Sequence, residues 1–239
     1  MSLRGIIFDI DNTFFDGSYW HRLLHQMISK LGLREQFQTF RDEWQTTYLP
    51  KVYQGELKYW DALASFFCYL GLSPVEAREL LVSSQAKLKH AQANLRPFAQ
   101  VSETLAELQR RQFRLAIVCN SIHQSHALLG MLADINIRFS FDSVLTSRSL
   151  GRVLPDREAL LQAAREMLIA PQEAAYVSTR ANRLQIAGEV EMVPVWLIDA
   201  SHAETVEEHK EVPAIDHLIG RFADLIPWVT RLEATNASR

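Results

Sequence analysis

The 239-residue chain sets 25 lysines and arginines against 28 aspartates and glutamates, and the resulting net charge of −3 is spread along it without a basic block. That balance argues against nucleic acid or an anionic membrane surface as a partner; 48% hydrophobic and 22% charged residues are ordinary for a globular protein long enough to bury a full core. Cys68 and Cys119 are far apart with no CxxC, which indicates neither a disulfide framework nor a zinc site, and no run reaches the roughly 18 apolar residues of a membrane span, so a reducing cytoplasm is the expected setting.

Residues 4–10, RGIIFDI, form a compact apolar run ending in acids, the pattern of a strand buried on both faces of a parallel sheet. Residues 18–33 then place Trp20, Leu23, Leu24, Met27, Ile28 and Leu31 at helical spacing, with Gly32 as a stop. From 34 to 95 the pattern stays helical and aromatic (Phe37, Phe40, Trp44, Tyr48, Tyr53, Trp60, Phe66, Phe67), and Ser73-Pro74 reads as cap and first position of a new helix. This predicts an all-α insertion of four or five helices, its aromatics mostly in its own core.

Arg96-Pro97-Phe98 changes the rhythm. An amphipathic helix over 101–112 precedes a second buried strand over 113–119. Short apolar strands follow at 141–147, 174–179 and 193–199, with a helix over 156–169, and 216–232 reads as a closing amphipathic helix or pair of short ones. Strands alternating with helices predict a doubly wound α/β domain with a parallel sheet. The expected division is 1–16 with 96–239 as the α/β core and 17–95 as a helical cap. In such sheets the ligand crevice lies at the carboxyl ends of the strands. Asp9, Cys119, Thr146 and Thr179 all stand at expected strand ends.

Asp9-Ile10-Asp11-Asn12-Thr13 follows the first strand. Two carboxylates about 4 Å apart repel by roughly 4 kcal/mol at an effective dielectric of 20, so a divalent cation, a positive side chain or a shared proton must relieve them. By spacing alone the cluster is equally compatible with a turn or cap, since Asp and Asn favour those positions.

At these residues the sequence resembles the haloacid dehalogenase superfamily, whose first motif is D-x-D-x-T after a buried strand. GIIFDIDNTFFD matches that motif, the helical segment matches a cap inserted after it, and the stretches at 95–121 and 174–197 resemble the regions of motifs two and four. The resemblance is to phosphoglycolate-phosphatase-like members with helical caps. It implies a hydrolase acting on a small phosphorylated metabolite with Mg²⁺. Asp9 would attack phosphorus, and Asp11 would protonate the leaving alcohol and then activate water. Asp9 and Asp11 would also hold the metal, and Thr13, Cys119, Asn120 and Ser121 fall where the family binds phosphate. Family dehalogenases carry a non-acidic residue at the position of Asp11, so Asp11 favours phosphoryl chemistry.

The other motifs depart from the pattern. Cys119 stands where a Ser or Thr is usual, either as a small buried residue or as a reactive thiol, and Ser121 lies two residues on. Leu154 stands where a Lys precedes Pro, with Arg148, Arg152 and Arg157 near it in sequence. Motif four, G-D-x-x-x-D, falls on Ser178-Thr179-Arg180-Ala181-Asn182-Arg183, so the metal-holding acids become Thr179 and Arg183, and no one-residue shift restores an acid. A guanidinium can satisfy two carboxylate oxygens, which suggests that Arg183 or Arg180 replaces the metal beside Asp9 and Asp11. His123 and His126 lack further ligands for zinc and read as helix residues, His123 being near the crevice. Residues 16–21 are expected to lie over the substrate. Two functions result: a phosphohydrolase with weak or absent Mg²⁺, or a non-catalytic binding or regulatory protein with a protein partner.

Overall fold

The computed structural model describes residues 2–10, 12–17, 19–30, 42–198 and 217–237; Asp11, Leu31, Gly32, Phe37 and Phe40 lie outside them, as does the side chain of Trp20. The first strand, β1 (Gly5–Phe8), leads into a helical insertion: α1 (Tyr19–Lys30), a π-turn (Trp44–Tyr48), α2 (Leu49–Tyr53), α3 (Tyr59–Tyr69) and α4 (Pro74–Ala93). Ser73 caps α4 reciprocally with Glu76, the Ser73 N–H donating to Glu76 Oε2 at 2.8 Å. The hydrogen bonds from Ser73 hold the Glu76 carboxyl below the usual range.

The chain then returns through α5 (Val101–Arg110), β2 (Arg114–Cys119), α6 (Ser125–Asp134), β3 (Ser143–Thr146) and α7 (Ser147–Leu150). It continues through α8 (Arg157–Glu166), β4 (Ala174–Ser178), α9 (Ala181–Glu189) and β5 (Val193–Leu197). A sixth strand, β6 (His217–Ile219), and α10 (Leu225–Ala237) follow. The stretch 216–232, expected to be helical throughout, therefore begins as a strand pairing Leu218 with Trp196 of β5. Three residues at a sheet edge, with Leu218 54% exposed, carry too little apolar alternation to announce a strand.

All the strand pairs are parallel, in the order β3-β2-β1-β4-β5-β6. The order reverses direction between β1 and β4, which makes their carboxyl ends the switch point of the sheet. Side chains alternate between two cores. Ile6, Phe8 and Ile10 face a layer with Leu105, Leu128, Leu132 and Trp228 from α5, α6 and α10. Ile7, Ala174 and Tyr176 face Leu160, Ala163, Leu184 and Ala187 from α8 and α9. Both faces of β1 are therefore covered, and Ile6, Ile7 and Phe8 are fully buried, each worth about 1.5–3 kcal/mol relative to exposure.

The insertion has its own core of Leu24, Trp44, Val52, Leu63, Phe66, Phe67 and Leu70. It rests on the sheet domain at Gly55, whose φ of +80° suits glycine and where a β-carbon would collide with the Arg148 guanidinium. Arg148 thus lies beneath the turn that ends α2. No helix among the described residues is long and apolar enough to cross a membrane.

Candidate functional site

Period-two alternation along β1 puts Asp9 on the face of Ile7, the side covered by α8 and α9. The Asp9 N–H still donates to Val177 O at 3.0 Å, so the residue is an extension of the strand. Its side chain is 1% exposed. An ionised carboxylate at that depth costs several kcal/mol of desolvation unless paired and hydrogen-bonded. Two partners come from beyond the switch point. Ser178 Oγ donates to Asp9 Oδ2 at 2.9 Å, and Arg183 Nη1 donates to the same oxygen at 2.5 Å. Asp9 Oδ1 is buried and has no partner among the described residues.

Local structure explains the arrangement. Ser178 ends β4 on the same face as Tyr176, and its hydroxyl also accepts the Arg180 N–H at 3.1 Å, which fixes the turn into α9. Arg183 sits in the first turn of α9 and is 12% exposed. A cation in the first turn opposes the helix dipole by a few tenths of a kcal/mol to about 1. The Asp9 carboxylate offsets that cost, and it is in turn favoured by the amino end of the helix.

Tyr176 lies behind this pair, fully buried, its hydroxyl without a partner among the described residues. Burial pushes its phenol well above the usual range; the Asp9 charge adds to the effect, and Arg183 opposes it. The phenol therefore stays protonated. Neither Ser178 nor Tyr176 was singled out as a site residue by motif spacing. The signal for both was the inward face of β4, two residues apart.

The remaining motif residues have local duties. Thr13 is buried in the turn after β1, its N–H bonded to Ile10 O at 3.2 Å, and Asn12, at a φ of 54°, accepts the Gly17 N–H at 2.8 Å. Cys119 is buried at the end of β2. Asn120 uses both ends of its amide on one backbone position: Nδ2 donates to Leu154 O at 2.5 Å, and Oδ1 accepts Leu154 N–H at 2.8 Å. Ser121 Oγ accepts the His123 N–H at 3.0 Å, and Thr146 caps α7 through Ser149. Thr179 is buried, its Oγ1 without a partner among the described residues.

Arg152 pairs with Asp156 at 2.8 Å and Arg157 with Glu189 at 3.8 Å, while Arg148 lies under Gly55. Each of the three arginines near Leu154 thus has its own neighbour away from Asp9. Replacing Asn120 with alanine leaves the Leu154 N–H and C=O unpaired and is expected to cost about 2 kcal/mol in chemical denaturation.

His123 is half-buried between the insertion and α6, and burial lowers its pKa. The unfolded chain then binds the proton more readily than the folded one. The stabilising effect is complete above the ordinary histidine value near 6.5 and is lost as pH falls towards the depressed folded value. Urea midpoints of the wild type are expected to drop between pH 7.5 and 5.5 by more than those of His123→Gln.

A cleft of about 410 Å³ opens over the strand ends. The insertion contributes Gln45, Thr46, Leu49, Pro50 and Tyr53 to it, and the sheet domain contributes Arg180, Asn182 and Arg183 together with Asn120 and Val153 to Pro155. Of the expected contributors at 16–21, the side chains of 18–21 lie outside the described residues, and Asp16 and Gly17 are not among the described lining. The wider π-turn, closed by Leu49 N–H to Trp44 O, brings Gln45, Thr46 and Leu49 to the cleft while Trp44 stays in the core. Among the described residues no group of three or more His, Cys, Asp or Glu is placed to hold a metal ion.

Comparison with known proteins agrees with this architecture. The family model described as haloacid dehalogenase-like hydrolase matches residues 3–189. A glyceraldehyde 3-phosphate phosphatase of Methanothermobacter thermautotrophicus is 22% identical over 216 residues, covering 90% of this chain and 93% of that protein. The structure of the L-2-haloacid dehalogenase of Xanthobacter autotrophicus with chloropropionic acid covalently bound superimposes with a TM-score of 0.66 at 19% identity, over 96% of this chain and 98% of that one. A HAD phosphatase of Thermococcus onnurineus does so with a TM-score of 0.63 at 20% identity, over 95% and 98%.

Proposed function

The chain belongs to the haloacid dehalogenase-like hydrolase family, and on that premise we propose that its cleft takes a small phosphorylated molecule while Arg183 occupies the role that a metal ion would have beside Asp9. The observation that carries this reading is the buried Arg183–Asp9 pair. It neutralises the nucleophile position with a fixed cation supplied by the chain.

Among the described residues the donor set does not fit Mg²⁺. A hard cation needs several oxygen ligands, yet Asp9 Oδ2 already accepts from Ser178 and Arg183, and the motif-four acids are replaced by Thr179 and Arg183. A divalent ion there would also face the guanidinium at close range. Both donors engage Oδ2 and draw charge from the carboxylate, while Oδ1 has no donor among the described residues. The roles of Asp11 in protonation and water activation lie outside the described residues. Thr13, Cys119, Asn120 and Ser121 shape the strand-end loops around the ligand, and the helical cap closes over it. The result is a phosphoester-recognising member of the family with negligible Mg²⁺-dependent turnover.

A second reading, efficient phosphatase activity, is favoured by the alignment with the archaeal phosphatase over 90% of the chain. One assay separates the two. With Mg²⁺ present, p-nitrophenyl phosphate and glyceraldehyde 3-phosphate are expected to be hydrolysed no faster than by the Asp9→Asn variant. Turnover that Mg²⁺ stimulates and Asp9→Asn abolishes favours the second reading.

A further inference from the structure

The charge change at the turn into α9 does more than remove a cation site. Arg183 is matched by Asp9, but the Arg180 guanidinium lines the same cleft and has no hydrogen-bond or ion-pair partner among the described residues. Next to it Asn182 lines the cleft with an exposed amide. No Asp or Glu is among the described lining residues. The amino end of the nine-residue helix α9 adds its partial positive charge to the same corner. Leu49 and Pro50 from the insertion and Val153, Leu154, Pro155 and Ile186 from the sheet domain give the cleft an apolar stretch of wall, beside the polar Gln45, Thr46 and Asn120.

We propose that this corner is an oxyanion site, with Arg180 and Asn182 holding the head group, and that the cleft accepts an anion with an apolar tail in preference to a fully polar sugar phosphate. The proposal rests on the phosphoester reading above and names the residues and ligand chemistry within it. A guanidinium at a cleft wall can bind a phosphate or carboxylate bidentately. Because Asp9 already neutralises Arg183, Arg180 supplies the uncompensated charge that draws an anion in. The tail then covers Pro50, Val153 and Ile186, and water leaves apolar surface that a polar chain would keep wet. Gln45 and Thr46 remain at the rim for a hydroxyl or carbonyl along the tail.

Isothermal titration calorimetry in EDTA-containing buffer tests this with inorganic phosphate, phenyl phosphate and phenylacetate. Phenyl phosphate is expected to bind at least about tenfold more tightly than inorganic phosphate, and Arg180→Gln to weaken it by about tenfold or more. Asn182→Asp, which puts a negative charge at an exposed position, is expected to weaken it similarly. Phenylacetate binding equal to phenyl phosphate keeps the oxyanion site but overturns its preference for a phosphate head; weaker binding supports that preference. No binding of any probe at millimolar concentration, or binding indifferent to both variants, overturns the proposal. Equal affinity for inorganic and phenyl phosphate overturns the apolar tail. These measurements contain no metal, so their outcome is separate from that of the Mg²⁺ assay.

Discussion

Arg183→Ala is expected to destabilise the fold by roughly 3–5 kcal/mol, the cost of leaving a buried carboxylate without its counter-charge. Asp9 is 1% exposed and Arg183 12%, so solvent screens the pair weakly. Among the described residues Ser178 Oγ would remain as the one side-chain donor to Asp9, too little to compensate a full charge. For a chain of this size the loss lowers the melting temperature by on the order of 10 °C. The double variant Asp9→Asn with Arg183→Ala removes both charges and is expected to recover most of the loss, because a neutral amide needs no Coulombic partner. Thermal and urea unfolding of the four proteins in the cycle measures the coupling. If Arg183→Ala is as stable as the wild type, the pair contributes nothing and its geometry is incidental.

The second large effect is a gain. Restoring acids at the motif-four positions, Thr179→Asp with Arg183→Asp, reverses the sign of the charge facing Asp9. It also supplies the oxygen ligands that a hard divalent cation requires. Hydrolysis of p-nitrophenyl phosphate in the presence of Mg²⁺ is expected to rise by about 100-fold or more over the wild type, the scale on which a single electrostatic group acts in a preorganised site. Mg²⁺ should also stabilise this variant against heat in proportion to its occupancy, and leave the wild type unchanged. A gain that survives Asp9→Asn would show that Asp9 is not the nucleophile. A folded variant that neither binds Mg²⁺ nor gains rate would mean that Arg183 does not stand in the metal's place.

Much of the fold could be read from the chain itself. β1, β2 and β4 are short apolar runs bounded by polar residues, and that pattern is diagnostic when both sheet faces are covered. β6 escaped because a three-residue edge strand shares only one neighbour and keeps Leu218 exposed. The site was legible where chemistry is tied to motif spacing: Asp9 at a strand end, and the exchange of acids for Thr179 and Arg183. It was not legible where tertiary packing decides. Nothing in the sequence says that 45–53 hangs over the cleft, because that depends on the π-turn and on how Gly55 seats on Arg148. Asn120 holding Leu154 by both amide ends is likewise a contact between loops 34 residues apart. Ser178 was visible only as a departure from a glycine, and its hydroxyl acquires a role once β4 lies beside β1.

Crystals grown or soaked in millimolar Mg²⁺ test directly, through the electron density within about 3 Å of the carboxylate, the proposal that a guanidinium and not a metal ion balances Asp9. Arg183 is expected on Oδ2 with no ion between them. An octahedral Mg²⁺ on Asp9, with Arg183 turned away to solvent, would contradict it.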